Sequence, residues 1–130
     1  MTFNVGVIGL GIIGKPIAER LVKAGFHVAV HDVRDEPVAE LKNAGATACA
    51  SSAEVAGRSD IIISLVLDRA QTNEVVFGEK GVIQTVRPGT IFATGSTLGP
   101  APVRSIAAAL AAKGCMTLDM PITGGYPAAY

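Results

Sequence analysis

The chain has 130 residues, enough for one hydrophobic core and one domain. Its composition is 49% hydrophobic and 17% charged, which excludes a disordered chain, and its eleven basic residues balance eleven acidic ones. That balance gives no electrostatic case for nucleic acid or an anionic membrane as a partner, and the longest apolar run, Ile61 to Leu67, suits a buried strand rather than a membrane span.

Short Val- and Ile-rich runs alternate with helical segments along the chain. Strands are expected near 3–8, 27–31, 46–49, 60–66, 90–94 and 115–119. Helices are expected near 12–24, 35–44, 52–57, 68–76 and 99–113. The strands lack clean period-two alternation, as when helices cover both faces of a sheet. The βαβα order therefore predicts an α/β fold: a doubly wound parallel sheet in three αβα layers, of Rossmann type. Ile13, Ile17 and Leu21 recur at four-residue steps and are read as the buried stripe of the first helix. Gly25 and Gly45 stand where helices close in a left-handed residue, Ser52 is placed to cap the third helix, and Pro88-Gly89 marks a turn. Cys49 and Cys115 are isolated, without metal or CxxC spacing, and read as buried reduced thiols. A reducing cytoplasm fits them, as would a mitochondrial matrix. No basic segment precedes the first apolar run, so no secretory signal is expected.

The most specific local pattern is Gly9-Leu10-Gly11-Ile12-Ile13-Gly14 between the first strand and first helix, with Asp32 closing the second strand. Each part has its own physical task in a dinucleotide-binding βαβ unit. Gly9 permits the tight turn, Gly11 lets main chain approach a diphosphate, and Gly14 lets the helix pack close to the sheet. The N–H groups opening that helix face the phosphate charge. Asp32 accepts from the adenosine ribose diol and repels a 2′-phosphate, which favours NAD; Arg34, two residues on, could greet that phosphate and leaves NADP open. Gly9 to Lys15 also satisfies GxxxxGK, but a triphosphate loop next needs Ser or Thr for magnesium, and this chain has Pro16.

The segment Gly9-Leu10-Gly11-Ile12-Ile13-Gly14-Lys15-Pro16-Ile17-Ala18 resembles the opening motif of the β-hydroxyacid dehydrogenases, the family of 3-hydroxyisobutyrate and threonate dehydrogenases and tartronate semialdehyde reductase, with 6-phosphogluconate dehydrogenase more distant. Gly95-Ser96-Thr97-Leu98-Gly99-Pro100 is similar to the family's Ser-Thr segment, and Asp119-Met120-Pro121-Ile122-Thr123-Gly124-Gly125 to its Asp-x-Pro-Val-Ser-Gly-Gly substrate motif. The resemblance covers essentially the whole chain. It implies that the cofactor lies along Gly9 to Gly14, Asp32, Val33 and Arg34, Val66, Leu67 and Gln71, and Ser96 and Thr97. It implies that Thr123, Gly124 and Gly125 hold a substrate carboxylate. The residues alone also allow Ser96-Thr97 to be a helix cap and Thr123-Gly124-Gly125 a flexible exit from the last strand. Departures from the pattern include Val66-Leu67 in place of Leu-Pro, which removes a constraint on that loop, and Thr123 in place of Ser.

The resemblance further implies that an all-helical domain follows, carrying a catalytic lysine in Gly-x-x-Gly-x-x-x-Lys and the surface for homo-oligomerisation. Lys15, Lys23, Lys42, Lys80 and Lys113 do not stand in that pattern. The expectation is thus the cofactor domain of an NAD-dependent enzyme acting on a small 3-hydroxyacid, cut before its second domain. Alone it should bind NAD without appreciable turnover, and its exposed apolar edge could drive association. The alternative is a non-catalytic dinucleotide-binding sensor or assembly module.

Overall fold

A computed structural model describes residues 3–96 and 98–120. Six parallel strands form one sheet in the order β3-β2-β1-β4-β5-β6: β1 (Asn4–Ile8), β2 (His27–His31), β3 (Thr47–Ala48), β4 (Ile61–Ser64), β5 (Ile91–Thr94) and β6 (Met116–Asp119). The helices between them are α1 (Gly14–Lys23), α2 (Asp35–Ala44), α3 (Ser52–Arg58), α4 (Arg69–Phe77) and α5 (Pro100–Ala111). A 3-10 turn over Val82–Gln84, unread in the sequence, precedes β5. The chain runs outward from β1 to β3, then crosses to β4 on the other side of β1. That reversal opens a crevice at the carboxyl ends of β1 and β4, where α/β sheets bind ligands. The register aligns those ends: Ile8 pairs with His31 and Ser64, Ser64 with Thr94, and Thr94 with Asp119.

Alternating strand residues feed two cores. Val7, Val28 and Val30 pack with Ala18 of α1 and Leu41 of α2 on one face. Ile8, Ile62 and Phe92 pack with Val55 of α3, Val76 of α4, and Ile106 and Leu110 of α5 on the other. Among the described residues, helix coverage on the first face stops at β1. The rows Ile61–Ile91–Met116 and Ile63–Ala93–Leu118 share that face beyond it, with Met116 60% and Leu118 47% exposed.

Several local expectations shift. The first helix begins at Gly14 rather than 12, and β4 stops at Ser64 rather than continuing to 66. Ile13, Ile17 and Leu21 are half-buried, whereas Gly14, Pro16 and Ala18 are the buried positions: Gly14 and Ala18 bring α1 close to the sheet and leave the branched side chains on its flank. Ser51, not Ser52, caps α3, accepting from the Glu54 N–H at 3.1 Å, while Glu54 Oε1 accepts from the Ala50 N–H at 2.9 Å. Gly25 and Gly45 close α1 and α2 with φ of 94° and 117°. Gly6 passed unnoticed in the sequence, yet a Cβ there would lie 2.4 Å from Val55 Cγ1 and 2.5 Å from Ser59 Oγ, so α3 can cross β1 only over a glycine.

Candidate functional site

The crevice at the β1/β4 reversal is a cleft of about 1090 Å³. Its walls include Gly9, Leu10, Gly11 and Ile12 from the β1–α1 turn, and Asp32, Val33 and Arg34 from the end of β2. Val66 and Leu67 of the β4–α4 connection and Gln71 of α4 also line it. The fold thus gathers three segments that the sequence holds far apart.

The turn is built as its glycines suggest. Gly9 adopts φ +95°, and its N–H donates to the His31 carbonyl at 3.0 Å, joining the turn to β2. A Cβ on Gly14 would sit 1.8 Å from the Gly9 carbonyl oxygen, so only glycine lets α1 start this close to the turn. Gly11 is the opposite case: a Cβ there would meet nothing within 4 Å, so bare main chain faces the cleft. Helix α1 opens at Ile13 with no side-chain cap and no acid in its first turn. Helices α3 and α4 are capped by Ser51 and Asp68. Uncapped amides at the positive end of a ten-residue helix, beside a glycine that clears the approach, fit a diphosphate.

Asp32 lies 22 residues from Leu10 in sequence but against it in space, because the β1/β2 register sets Ile8 beside His31. The Leu10 N–H donates to Asp32 Oδ2 at 2.7 Å, and Arg34 donates to Oδ1 through its N–H at 2.9 Å and its Nε at 3.3 Å. The Asp32 side chain is 8% exposed. Burial works against its charged form, but the backbone N–H groups of Arg34 and Leu10, then the Arg34 guanidinium, outweigh it and hold the carboxyl below its ordinary value. The group is therefore anionic at neutral pH. A carboxylate offers about four acceptor directions, so three donors leave it capacity for a sugar hydroxyl.

The β4–α4 connection lacks the proline of the family pattern, and it is held another way. The Leu67 N–H, which a proline would not have, donates to Gln71 Oε1 at 2.7 Å, and Asp68 accepts from the Gln71 N–H at 2.9 Å. The loop is braced rather than loosened. Ser96 is buried and stands behind this loop, not on the cleft wall. Its Oγ donates to the Val66 carbonyl at 2.6 Å and accepts from Thr72 Oγ1 at 3.2 Å. It does not cap α5, whose N-cap is Gly99 at φ 85°. Ile13 and Gly14 open α1 at the end of the turn and are not among the residues that line the cleft. Thr97, Thr123, Gly124 and Gly125 lie outside the described residues.

Some cleft residues escaped the sequence reading. Ser51, Ser52 and Lys80 line it; His31, expected beside the adenosine end of a cofactor, reaches it too, with its Nδ1 3.0 Å from the Cys49 carbonyl oxygen. Only the strand register and the return of the chain after β3 bring them there. Both cysteines are buried and free. Burial, then Glu54, pushes the Cys49 thiol up to about 11. Among the described residues no group of His, Cys, Asp or Glu could hold a metal, and no helix is long and apolar enough to cross a membrane.

Known proteins agree with this geometry. Residues 4–130 match the model of the NAD binding domain of 6-phosphogluconate dehydrogenase. The chain is 38% identical over 125 residues to L-threonate dehydrogenase of Cupriavidus necator, covering 96% of this chain and 42% of that protein. It is 34% identical over 125 residues to mitochondrial 3-hydroxyisobutyrate dehydrogenase of Rattus norvegicus, covering 96% of this chain and 37% of that one. The crystal structure of 3-hydroxyisobutyrate dehydrogenase from Salmonella typhimurium superposes with a TM-score of 0.90 at 36% identity, over 96% of this chain and 44% of that chain. The chain thus spans about two fifths of the length of these relatives. A Rossmann-type sheet, a glycine turn opening on an uncapped helix and a full-length family match together establish that this chain belongs to the NAD-binding domain family of 6-phosphogluconate dehydrogenase and its hydroxyacid dehydrogenase relatives.

Proposed function

We propose that this chain is the cofactor domain of a dehydrogenase acting on a small 3-hydroxyacid, and that it takes NAD in preference to NADP. The observation that carries the reading is the meeting, in one cleft, of bare main chain at Gly11 and the anionic Asp32. The diphosphate rests on the amides opening α1, and Asp32 accepts from the adenosine ribose. A 2′-phosphate would bring a second anion against a carboxylate held in its charged form, which disfavours NADP. The other end of the cofactor extends past Val66, Leu67 and Gln71 toward the ends of β4 and β5, where Ser96 supports the loop from behind.

NAD supplies hydride acceptance and donation when bound; the protein supplies position. Thr123, Gly124 and Gly125 follow β6 in sequence and are assigned to the substrate carboxylate on the motif they share with the family. The relatives named above carry threonate or 3-hydroxyisobutyrate in their names, and both are hydroxylated carboxylates. Proton transfer at the substrate hydroxyl needs a base of suitable pKa within hydrogen-bond reach. None of the lysines in this chain has the family's spacing, so that role is assigned to a helical region following this one. Calorimetric titration with NAD and NADP, paired with a turnover assay on hydroxyacids, tests the reading. NAD should bind more tightly than NADP, with no measurable oxidation by this chain. Tighter NADP binding would reverse the cofactor assignment, and robust oxidation would reverse the division of labour.

A further inference from the structure

Leu10 is held at every handle. Its side chain is 2% exposed in the α1/α2 core, its N–H donates to Asp32 Oδ2 at 2.7 Å, and its carbonyl accepts from Arg34 Nη2 at 3.2 Å. The two holders are themselves joined, since the Arg34 N–H and Nε both donate to Asp32 Oδ1. No peptide bond among the described residues is cis. A Leu10 carbonyl turned toward Arg34 therefore points the N–H of Gly11 the opposite way within the peptide plane. Gly11 is also the residue with open space before its main chain.

We propose that Arg34 is a positioning residue of the diphosphate turn: with Asp32 it clamps the Leu10–Gly11 peptide, so that the amides from Gly11 onward are set before the cofactor arrives. The inference rests on the dinucleotide reading of the cleft. It gives Arg34 a different task from reading a 2′-phosphate: its Nε–H and one N–H of Nη2, two of the five guanidinium donors, are turned inward onto Asp32 and Leu10. A planar guanidinium can bridge two acceptors in fixed geometry, whereas a lysine ammonium is a single point on a flexible stem. A turn rich in glycine is costly to order, and ordering it beforehand improves affinity without a new ligand contact.

The test titrates NAD, NADP, ADP and adenosine into the natural chain, Arg34→Ala and Arg34→Lys. The Arg34 side chain is 61% exposed, so the variants should fold, which unfolding temperatures will verify. Arg34→Ala should weaken NAD, NADP and ADP by one common factor, about five-fold for a hydrogen-bond loss of this kind, and leave adenosine unchanged. Arg34→Lys should fall between. In the ligand-free protein, the amide resonances of Leu10 and Gly11 should move in Arg34→Ala. A larger loss for NADP than for NAD would make Arg34 a phosphate reader and overturn the clamp. An equal loss for adenosine would place its action on the nucleoside and also overturn it. If the natural chain and both variants bind the dinucleotides equally, the clamp falls and the dinucleotide reading stands. If the natural chain binds none of them, both fall.

Discussion

Gly11 and Gly14 belong to one motif but should fail in opposite ways when each is given a methyl group. At Gly14 the new Cβ would lie 1.8 Å from the Gly9 carbonyl oxygen and 2.8 Å from its carbon. Both are main-chain atoms, and Gly9 cannot retreat, because its own Cβ position lies 2.7 Å from the Leu65 carbonyl carbon. Gly14→Ala should therefore cost about 3 kcal/mol, the upper end for forced overpacking. Gly11→Ala meets no protein atom within 4 Å, and its φ is not among the positive ones. Its folding should be neutral or gain up to about 1 kcal/mol from a less free unfolded chain. Its methyl would stand where the diphosphate approaches the amides. Losing one charge-assisted hydrogen bond removes about 1.5–3 kcal/mol, or roughly ten- to hundred-fold in NAD affinity. Urea unfolding and calorimetry on both variants separate the two effects. Undiminished NAD binding by Gly11→Ala would refute the placement of the diphosphate. A Gly14→Ala variant as stable as the natural chain would refute the packing.

Other consequences follow from named contacts. Asp32 has a lowered pKa in the fold, so its contribution to stability is present above its ordinary value of 3.8 and disappears as pH falls through the folded value. The stability gap between the natural chain and Asp32→Asn should be constant above about pH 5 and close under more acid conditions; a gap that widens in acid would contradict this. The same substitution should narrow the preference for NAD over NADP, read by paired titrations. Cys49, with its thiol pushed up to about 11, should resist iodoacetamide at pH 8 in the folded chain and react in urea; rapid labelling of the native protein would show an open site. Met116 and Leu118 lie exposed on the part of the sheet that no helix among the described residues covers. Replacing both with lysine should reduce concentration-dependent association in sedimentation, and no change would clear this face.

The fold was legible where sequence period and punctuation agree. β2 and α2 fall where their residues predict, with Gly25 and Gly45 closing the helices ahead of β2 and β3. Boundaries slipped where apolar character continues past the last paired residue, Ser64 in β4, although the Leu65 N–H still donates to the Ile8 carbonyl at 2.7 Å. Leu65 and Val66 extend the run of β4 but turn away into the cleft, and Ile12 and Ile13 continue the helical pattern but belong to the turn. The glycine turn and the acid that closes β2 could be read because the pattern is local and tied to glycine. The clamp through Arg34 and the brace behind Val66 could not. They depend on register and on contacts such as Ser96 with Val66, thirty residues apart. Gly6 is a further case, since its need arises only when α3 crosses the strand.

On the proposed reading a dinucleotide lies across the carboxyl ends of β1, β2 and β4. Titrating NAD into the ¹⁵N-labelled chain and following each backbone amide tests it most directly. Resonances of Gly11, Ile12 and Ile13, of Asp32 to Arg34 and of Val66 to Gln71 should shift together and saturate with one affinity. Saturating NAD that leaves the Gly11–Ile13 amides in place, or shifts only residues elsewhere, would contradict it.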